Sequence, residues 1–90
     1  MLRVMLVDDE PYILQGLQII VDWEAEGYKI VAVQSNGQEA INYLRNNEVD
    51  LIISDIQMPI VNGLELLETI NNEKLSNARF VLLTGYDDFS

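Results

Sequence analysis

The 90-residue sequence predicts one α/β domain, in which parallel strands form a sheet and helices cover its faces. Four short apolar runs of strand length alternate with segments whose apolar residues recur at helical spacing. Strands that alternate with helices in this way pair in parallel through right-handed crossovers. A hydrophobic content of 49% argues against disorder despite the formal net charge of −10.

The first predicted elements are a strand and the helix that follows it. Residues 2–7 form the first apolar run, and Asp8 and Asp9 come directly after it. Pro11 suits the first turn of a helix, where its missing N–H is not needed. Gly27 is the expected end of this helix. The residues expected on its inner face are Ile13, Leu14, Leu17, Ile20 and Val21.

The second strand and helix follow in the same order. Residues 28–33 form the strand, and the residues after it are polar rather than acidic. Asn36 and Glu39 form a possible capping box at the start of a helix that ends near residues 46–47. The residues expected on its inner face are Ala40, Ile41 and Leu44.

The third strand carries a carboxylate at its end. The mostly apolar run 49–54 favours a buried parallel strand, and Asp55 follows it. Pro59 cannot donate to a sheet and restricts the residue before it, so a shaped loop is expected. Asn62 then caps a third helix over residues 63–71. An α/β fold presents reactive groups in this way, at the carboxyl end of its sheet.

The last part of the sequence contains a strand and the beginning of another element. Residues 79–83 form the fourth apolar run, and Thr84 follows it. Asp87 is the expected start of a further helix. Because the sequence stops within that helix, we expect the chain to be a fragment of a longer protein.

Polar side chains at three strand ends suggest a metal site. Asp8 and Asp9, Asp55, and Thr84 meet at one edge if the third strand lies between the first and the fourth. Carboxylates that lie so near one another repel, and a hard divalent cation relieves the repulsion. Mg²⁺ prefers one or two carboxylates with waters, which leaves positions open for phosphate oxygens. A carboxylate beside such an ion can attack phosphorus and form an aspartyl phosphate.

Simpler interpretations of each residue exist. Asp55 alone is more often a cap or turn residue, and Asp8 and Asp9 alone are better explained as complements to a helix dipole. A phosphohydrolase with an aspartate nucleophile usually needs a second acid at the position of Gln57, and an inert interaction module stays possible. Acids at two strand ends with a hydroxyl at a third favour a functional site.

Together these residues resemble the receiver domain of bacterial two-component response regulators over the whole chain. The resemblance implies a flavodoxin-like, doubly wound parallel sheet with strand order 2-1-3-4, its fifth strand and last helices missing. It also implies an output domain, and the sequence around residues 22–24 and 85–89 resembles receivers that precede an AraC-type DNA-binding domain. The motifs that carry the resemblance are Asp8-Asp9, Asp55 with Met58-Pro59 and Asn62-Gly63, and Thr84-Gly85.

The resemblance assigns a role to each site residue. Asp55 would accept a phosphoryl group from a sensor histidine kinase. Asp9, Asp55 and the backbone carbonyl of Gln57 would bind Mg²⁺ directly, while Asp8 would act largely through water. Thr84 would bind the phosphoryl group. A phosphoacceptor of this kind, which controls transcription through its output domain, is not expected to be an enzyme.

Receivers also carry a lysine at the end of a fifth strand, beyond the last residue of this chain. Lys74 lies between the third helix and the fourth strand and cannot replace it. We therefore expect weak or no stable phosphorylation of the chain as it stands. We also expect self-association, because the uncharged run 80–83 would form a sheet edge.

Composition limits the partners and the compartment. Fifteen acidic residues outnumber five basic ones, so direct nucleic-acid contact is not expected. The sequence has no cysteine, which is consistent with a cytoplasmic protein. It begins without a basic leader or a long apolar segment, so we expect neither a signal peptide nor a membrane span.

Overall fold

The computed structural model describes residues 1–83 of the chain. Strands and helices alternate from the first element to the last, as the sequence predicts. The helix expected from Asp87 lies outside the described residues. The elements are β1 Leu2–Val7, α1 Pro11–Ile20, β2 Tyr28–Gln34, α2 Gly37–Leu44, β3 Leu51–Asp55, α3 Gly63–Glu73 and β4 Arg79–Leu83.

The four strands form one parallel sheet in the order β2-β1-β3-β4, which confirms the predicted topology. β1 lies in the interior of the sheet, and its last four residues, 4–7, are buried. Val7 pairs with Ser54 of β3 and with Gln34 of β2, so the ends of these three strands lie level. This register brings the residue after β1 next to the last residue of β3.

Alternating side chains of the sheet contribute to two apolar clusters, because successive residues of a strand point to opposite faces. Met5, Val7 and Ile52 pack on one face with the buried residues of α2 and α3. Val4 and Leu6 pack on the other face with Leu14 of α1. Burial on both faces explains why β1 is apolar along most of its length.

α1 is shorter than predicted and ends at Ile20 rather than at Gly27. Its C-cap residue, Val21, is already extended, and the chain then makes successive turns up to β2. Gly27 adopts φ +86° inside the last of these turns, a conformation that glycine tolerates best. The glycine signal was therefore a turn signal, which a sequence pattern does not distinguish from a helix end.

The predicted inner face of α1 was partly wrong. Leu14 is buried and Leu17 and Val21 are half-buried, but Ile13 and Ile20 are exposed, Ile20 by 82%. Ile13 and Ile20 lie seven positions apart on one stripe, beside the stripe of Leu14 and Leu17 that contacts the sheet. Helical spacing identified the apolar surface, and the packing selected part of it.

The turn after α1 contains an aromatic pair. Trp23 and Tyr28 meet edge to face with their ring centroids 6.2 Å apart. The Trp23 indole N–H donates to the carbonyl of Leu17 at 2.9 Å, and the Tyr28 N–H donates to the Trp23 carbonyl at 2.8 Å. These contacts fix the path from α1 into β2.

The amino end of the sheet is fastened by an acidic side chain. The Asp50 carboxylate accepts a hydrogen bond from the backbone N–H of Arg3 at 2.7 Å and lies 3.4 Å from the Arg3 Nε. The backbone hydrogen bond, helped by the guanidinium, holds the pKa of Asp50 below its ordinary value. Lys74 lines a cavity of about 330 Å³ at this same end, with Arg3 and Asp50.

None of the helices within residues 1–83 is both long enough and apolar enough to cross a lipid bilayer.

Candidate metal centre

Three carboxylates converge at the carboxyl end of the sheet. Asp8, Asp9 and Asp55 each offer one oxygen, and these oxygens lie within 4.8 Å of one another. The three side chains differ in exposure: Asp8 is buried, Asp55 is half-buried and Asp9 is exposed. The structure therefore brings together the three acids that the sequence places at the ends of two strands, and their roles as ligands stay predictions.

The sheet and the first turn of α1 position Asp8. Its N–H donates to the carbonyl of Gln34 at 3.1 Å, which continues the pairing of β1 with β2 beyond the last strand residue. Its Oδ1 accepts a hydrogen bond from the N–H of Glu10 at 2.9 Å. Asp8 is therefore held from both its main chain and its side chain, with its carboxylate at the start of α1.

The electrostatics of this cluster are unfavourable to a bare carboxylate. Burial raises the pKa of Asp8 to about 6, and repulsion from Asp55 and Asp9 adds to the rise, while the hydrogen bond from Glu10 opposes it. The ion pairs found within residues 1–83 involve Arg3 and Arg45, which contact other acids. A cation bound among these oxygens would remove the repulsion.

The loop after β3, residues 56–62, is shaped by several contacts. Met58 is buried in the cluster formed with α2 and α3. The Val61 N–H donates to the Pro59 carbonyl at 2.8 Å across Ile60, whose φ is +69°. This is the rarer, strained form of γ-turn. Its central residue, Ile60, is β-branched, and its side chain is 85% exposed.

The far end of the loop is fixed by the predicted helix cap. The Asn62 side chain accepts from the Glu65 N–H at 2.8 Å, and the Glu65 carboxylate accepts from the Asn62 N–H at 3.1 Å. The predicted cap at Asn62 is therefore confirmed, and both halves of a capping box form in α3. In α2 only the Asn36 half forms, because the Glu39 carboxylate accepts from the Ser35 hydroxyl instead.

Gly63 has a role that the sequence analysis missed. Its N–H donates to the Ile56 carbonyl at 2.8 Å, and a Cβ at this position would collide with the carbonyl oxygen of Asp55. A glycine directly after a helix cap was the available signal, since glycine is a poor helix former and its use there indicates close packing. Gly63 therefore lets α3 begin directly beside the end of β3.

Neither Thr84 nor Gln57 has its predicted role tested by the structure, and Lys74 lies away from the carboxylates. Thr84, the predicted phosphoryl-binding hydroxyl, lies outside the described residues. Gln57 is exposed in the loop two residues after Asp55, and the role of its carbonyl stays a prediction. Lys74 lies at the amino end of the sheet, opposite the carboxylates, which agrees with its exclusion from the site.

The family model described as the response regulator receiver domain matches residues 4–90. The chain belongs to the response regulator receiver family. This receiver domain spans about a third of the length of the curated relatives it matches. It is 36% identical over 89 residues to an uncharacterised response regulatory protein of Staphylococcus epidermidis, covering 99% of this chain and 34% of that protein. It is 34% identical to the transcriptional regulatory protein HptR of Staphylococcus aureus, with the same coverage.

Solved structures of receiver domains superpose closely on this one. The receiver domain of AraT, a response regulator of Geobacillus stearothermophilus, has a TM-score of 0.84 and 37% identity over 98% of this chain and 67% of that one. The response regulator TrrA of Thermotoga maritima, solved with Mg²⁺ and BeF, has a TM-score of 0.81 and 38% identity over 99% of this chain and 74% of TrrA. TrrA has also been solved in complex with the histidine kinase ThkA, and that copy is 40% identical over 96% of this chain and 71% of TrrA, with a TM-score of 0.79.

Proposed function

We propose that this receiver domain accepts a phosphoryl group on Asp55 in the presence of Mg²⁺. The observation that carries the proposal is the convergence of three carboxylates, one of them buried with a raised pKa, at the carboxyl end of β1 and β3. Such crowding disfavours the metal-free protein and suits a divalent cation with oxygen ligands.

The residues present fit a magnesium ion. Asp9 and Asp55 would bind it directly with the backbone carbonyl of Gln57, and Asp8 would contribute through water. The oxygens of the three acids are close enough to share one ion. When bound, the ion supplies positive charge to the acids and to the phosphoryl oxygens. TrrA, a response regulator that is 38% identical to this chain, was solved with Mg²⁺, which supports this choice of metal.

The chain's own residues would then carry the transfer. A carboxylate oxygen of Asp55 attacks phosphorus, and the bond from phosphorus to the donor nitrogen breaks as the new P–O bond forms. Thr84 would donate its hydroxyl hydrogen to a phosphoryl oxygen. Because Asp55 itself takes up the phosphoryl group, the domain is a stoichiometric acceptor, and we propose that it is not an enzyme.

The proposed donor is a sensor histidine kinase, and the proposed output is control of transcription. The complex of ThkA with TrrA supports a kinase partner. The relation to the transcriptional regulatory protein HptR supports control of transcription. That the output domain binds DNA and is of the AraC type is proposed from the sequence resemblance. The acidic receiver itself is not proposed to contact nucleic acid, and we place the protein in the cytoplasm.

Phosphorylation by a small donor tests the proposal. The protein is incubated with phosphoramidate and Mg²⁺, quenched at short times and analysed by intact and peptide mass spectrometry. In line with the weak phosphorylation expected of this chain, we expect a short-lived phosphoryl adduct at low occupancy on the peptide that contains Asp55, and none with D55N or with EDTA. An adduct that survives D55N would exclude Asp55 as the acceptor, whereas the absence of any adduct even at the shortest times would favour an inert interaction module.

Self-association is also part of the proposal. β4 forms one edge of the described sheet, and Val81 on this strand is 42% exposed. Residues 80–83 of this strand carry no charge, which favours pairing of this edge with a second copy. Light scattering over a range of protein concentrations should show a mass that rises with concentration, whereas a constant monomer mass would contradict it.

A further inference from the structure

The first residue of α2 lies against the loop that follows β3. A Cβ built on Gly37 would lie 2.6 Å from the carbonyl oxygen of Val61, 2.7 Å from its Cγ1 and 2.9 Å from its Cβ. These distances are all shorter than van der Waals contact. Gly37 does not have the positive φ that would require glycine, so it is needed here for space alone.

α2 is poorly able to move away from this contact. Its buried residues Ala40, Ile41 and Leu44 are 4% exposed or less and belong to the cluster beneath the sheet. The N-cap hydrogen bond from the Glu39 N–H to Asn36 fixes its first turn at 2.8 Å. A close-packed interior transmits displacement rather than absorbing it, so an added methyl group would displace the loop.

The loop is the more deformable partner. Val61 is half-buried and follows the strained residue Ile60, whose side chain is largely exposed. The hydrogen bond from the Val61 N–H to the Pro59 carbonyl couples the two ends of that turn. Pro59 has a fixed φ, so a displacement of Val61 reaches the peptide that joins Gln57 to Met58 within two residues.

We infer that Gly37 is a positioning residue for the metal centre: its missing side chain lets α2 brace Val61 and so sets the Gln57 carbonyl beside Asp55. The inference rests on the proposed function, in which that carbonyl is a magnesium ligand. The atoms nearest to a Cβ at position 37 all belong to Val61 and not to the carboxylates. Gly37 acts through the loop, as residues outside the ligand set orient ligands in other metal sites.

Two matched glycine variants test this role. Gly37→Ala adds the methyl group that meets Val61, whereas Gly16→Ala adds one in α1, where nothing lies within 4 Å. Calorimetric titration with MgCl₂, well below the unfolding temperature of each variant, should show a dissociation constant about tenfold higher for G37A. G16A should keep the dissociation constant of the parent protein. Equal affinities in G37A and the parent would overturn the inference.

A second readout does not depend on the metal. In the ¹H–¹⁵N spectrum of the metal-free protein, G37A should shift the amides of Gln57 and Met58 as well as those near the contact. Shifts confined to the neighbours of residues 37 and 61 would refute the coupling. If the parent binds no Mg²⁺, the proposed metal site fails, and these spectra still decide whether Gly37 sets the loop.

Val61 variants cover the case in which G37A does not fold. Val61→Ala removes the Cγ1 atom that braces the loop against Gly37, so alone it should weaken Mg²⁺ binding and shift the same amides. Combined with G37A, it removes one of the clashes and should recover part of the lost affinity. A merely structural role for Gly37 would lower the unfolding temperature without this recovery. Unchanged affinity and unchanged loop amides in V61A would also count against the inference.

Discussion

Replacement of Asp8 by asparagine should stabilise the metal-free protein at neutral pH. Asp8 is buried between β1 and α1, and its pKa rises from 3.8 to about 6. A carboxyl group whose pKa is higher in the folded state binds protons more tightly there. It therefore contributes stability that is fully present below the unfolded-state pKa and is lost as the pH rises through about 6.

The magnitude follows from this pKa difference. Each pKa unit corresponds to about 1.4 kcal/mol, so the rise to about 6 sets an upper limit near 3 kcal/mol on the penalty at pH 7. Solvent reaches the cluster beside the exposed Asp9, and screening reduces the expected gain in D8N to about 1–2 kcal/mol. The asparagine Oδ1 can still accept the hydrogen bond from the Glu10 N–H, so that contact is kept.

Thermal unfolding in EDTA, followed by circular dichroism, measures the gain. For a domain of this size, about 1 kcal/mol raises the unfolding temperature by about 4–8 °C. At pH 5 the advantage of D8N should fall to about half, because Asp8 of the parent is then largely protonated in the folded state. Saturating Mg²⁺ should also reduce the difference in unfolding temperature between D8N and the parent, because the ion stabilises the parent more than D8N.

Asp9 provides the control. D9N removes one charge from the same cluster at an exposed position and leaves Asp8 buried, and repulsion is a smaller cause of the raised pKa than burial. D9N should therefore stabilise less than D8N. If D8N is less stable than the parent in EDTA at pH 7, or if its advantage is independent of pH, burial of Asp8 does not have the energetic effect described here.

Three further substitutions have expected outcomes. N62A removes the cap of α3 and should lower the free energy of unfolding by about 1 kcal/mol in urea denaturation, and an unchanged value would show that the capping box is dispensable. I60G places glycine at a backbone position with positive φ and an exposed side chain, so it should raise the free energy of unfolding by up to about 1 kcal/mol in the same assay. A clear loss of stability would show that Ile60 is unstrained. D50N weakens the link to Arg3 at the amino end of the sheet. Since the pKa of Asp50 is lowered, D50N should be less stable than the parent at pH 7, with the difference lost as the pH falls through that pKa, and acid unfolding curves that stay parallel would contradict this.

Local patterns predicted most of the fold. β1 and β4 begin and end at the predicted residues, and the cap at Asn62 forms as its spacing indicates. The larger errors concern α1, where Gly27 lies in a turn instead of at the helix end and Ile20 is exposed. Smaller errors concern two boundaries, because α2 ends at Leu44 rather than near residues 46–47 and β3 spans Leu51–Asp55 rather than 49–54. A glycine and an apolar stripe each have more than one structural use, and packing against the sheet decides between them.

The residue types of the candidate site could be read from the sequence, but their environment could not. The sequence shows acids at the ends of two apolar runs. Because β1 pairs with β3 in parallel, these acids lie at the same edge of the sheet and close together. Which acid is buried depends on how α1 begins over the sheet. For this reason Asp8 is buried whereas its neighbour Asp9 is exposed.

The sequence by itself determined the alternation of strands and helices and the carboxylates at the strand ends, because backbone hydrogen bonding and burial impose short periods on neighbouring residues. Only the tertiary structure decided the raised pKa of Asp8, the strained turn at Ile60 and the close approach of Gly37 to Val61. The pKa and the close approach depend on distances between residues from different elements, and the turn lies in a loop whose ends are joined by the hydrogen bond from Gly63 to Ile56. Such distances are set when side chains fill a shared interior, and no local pattern records them.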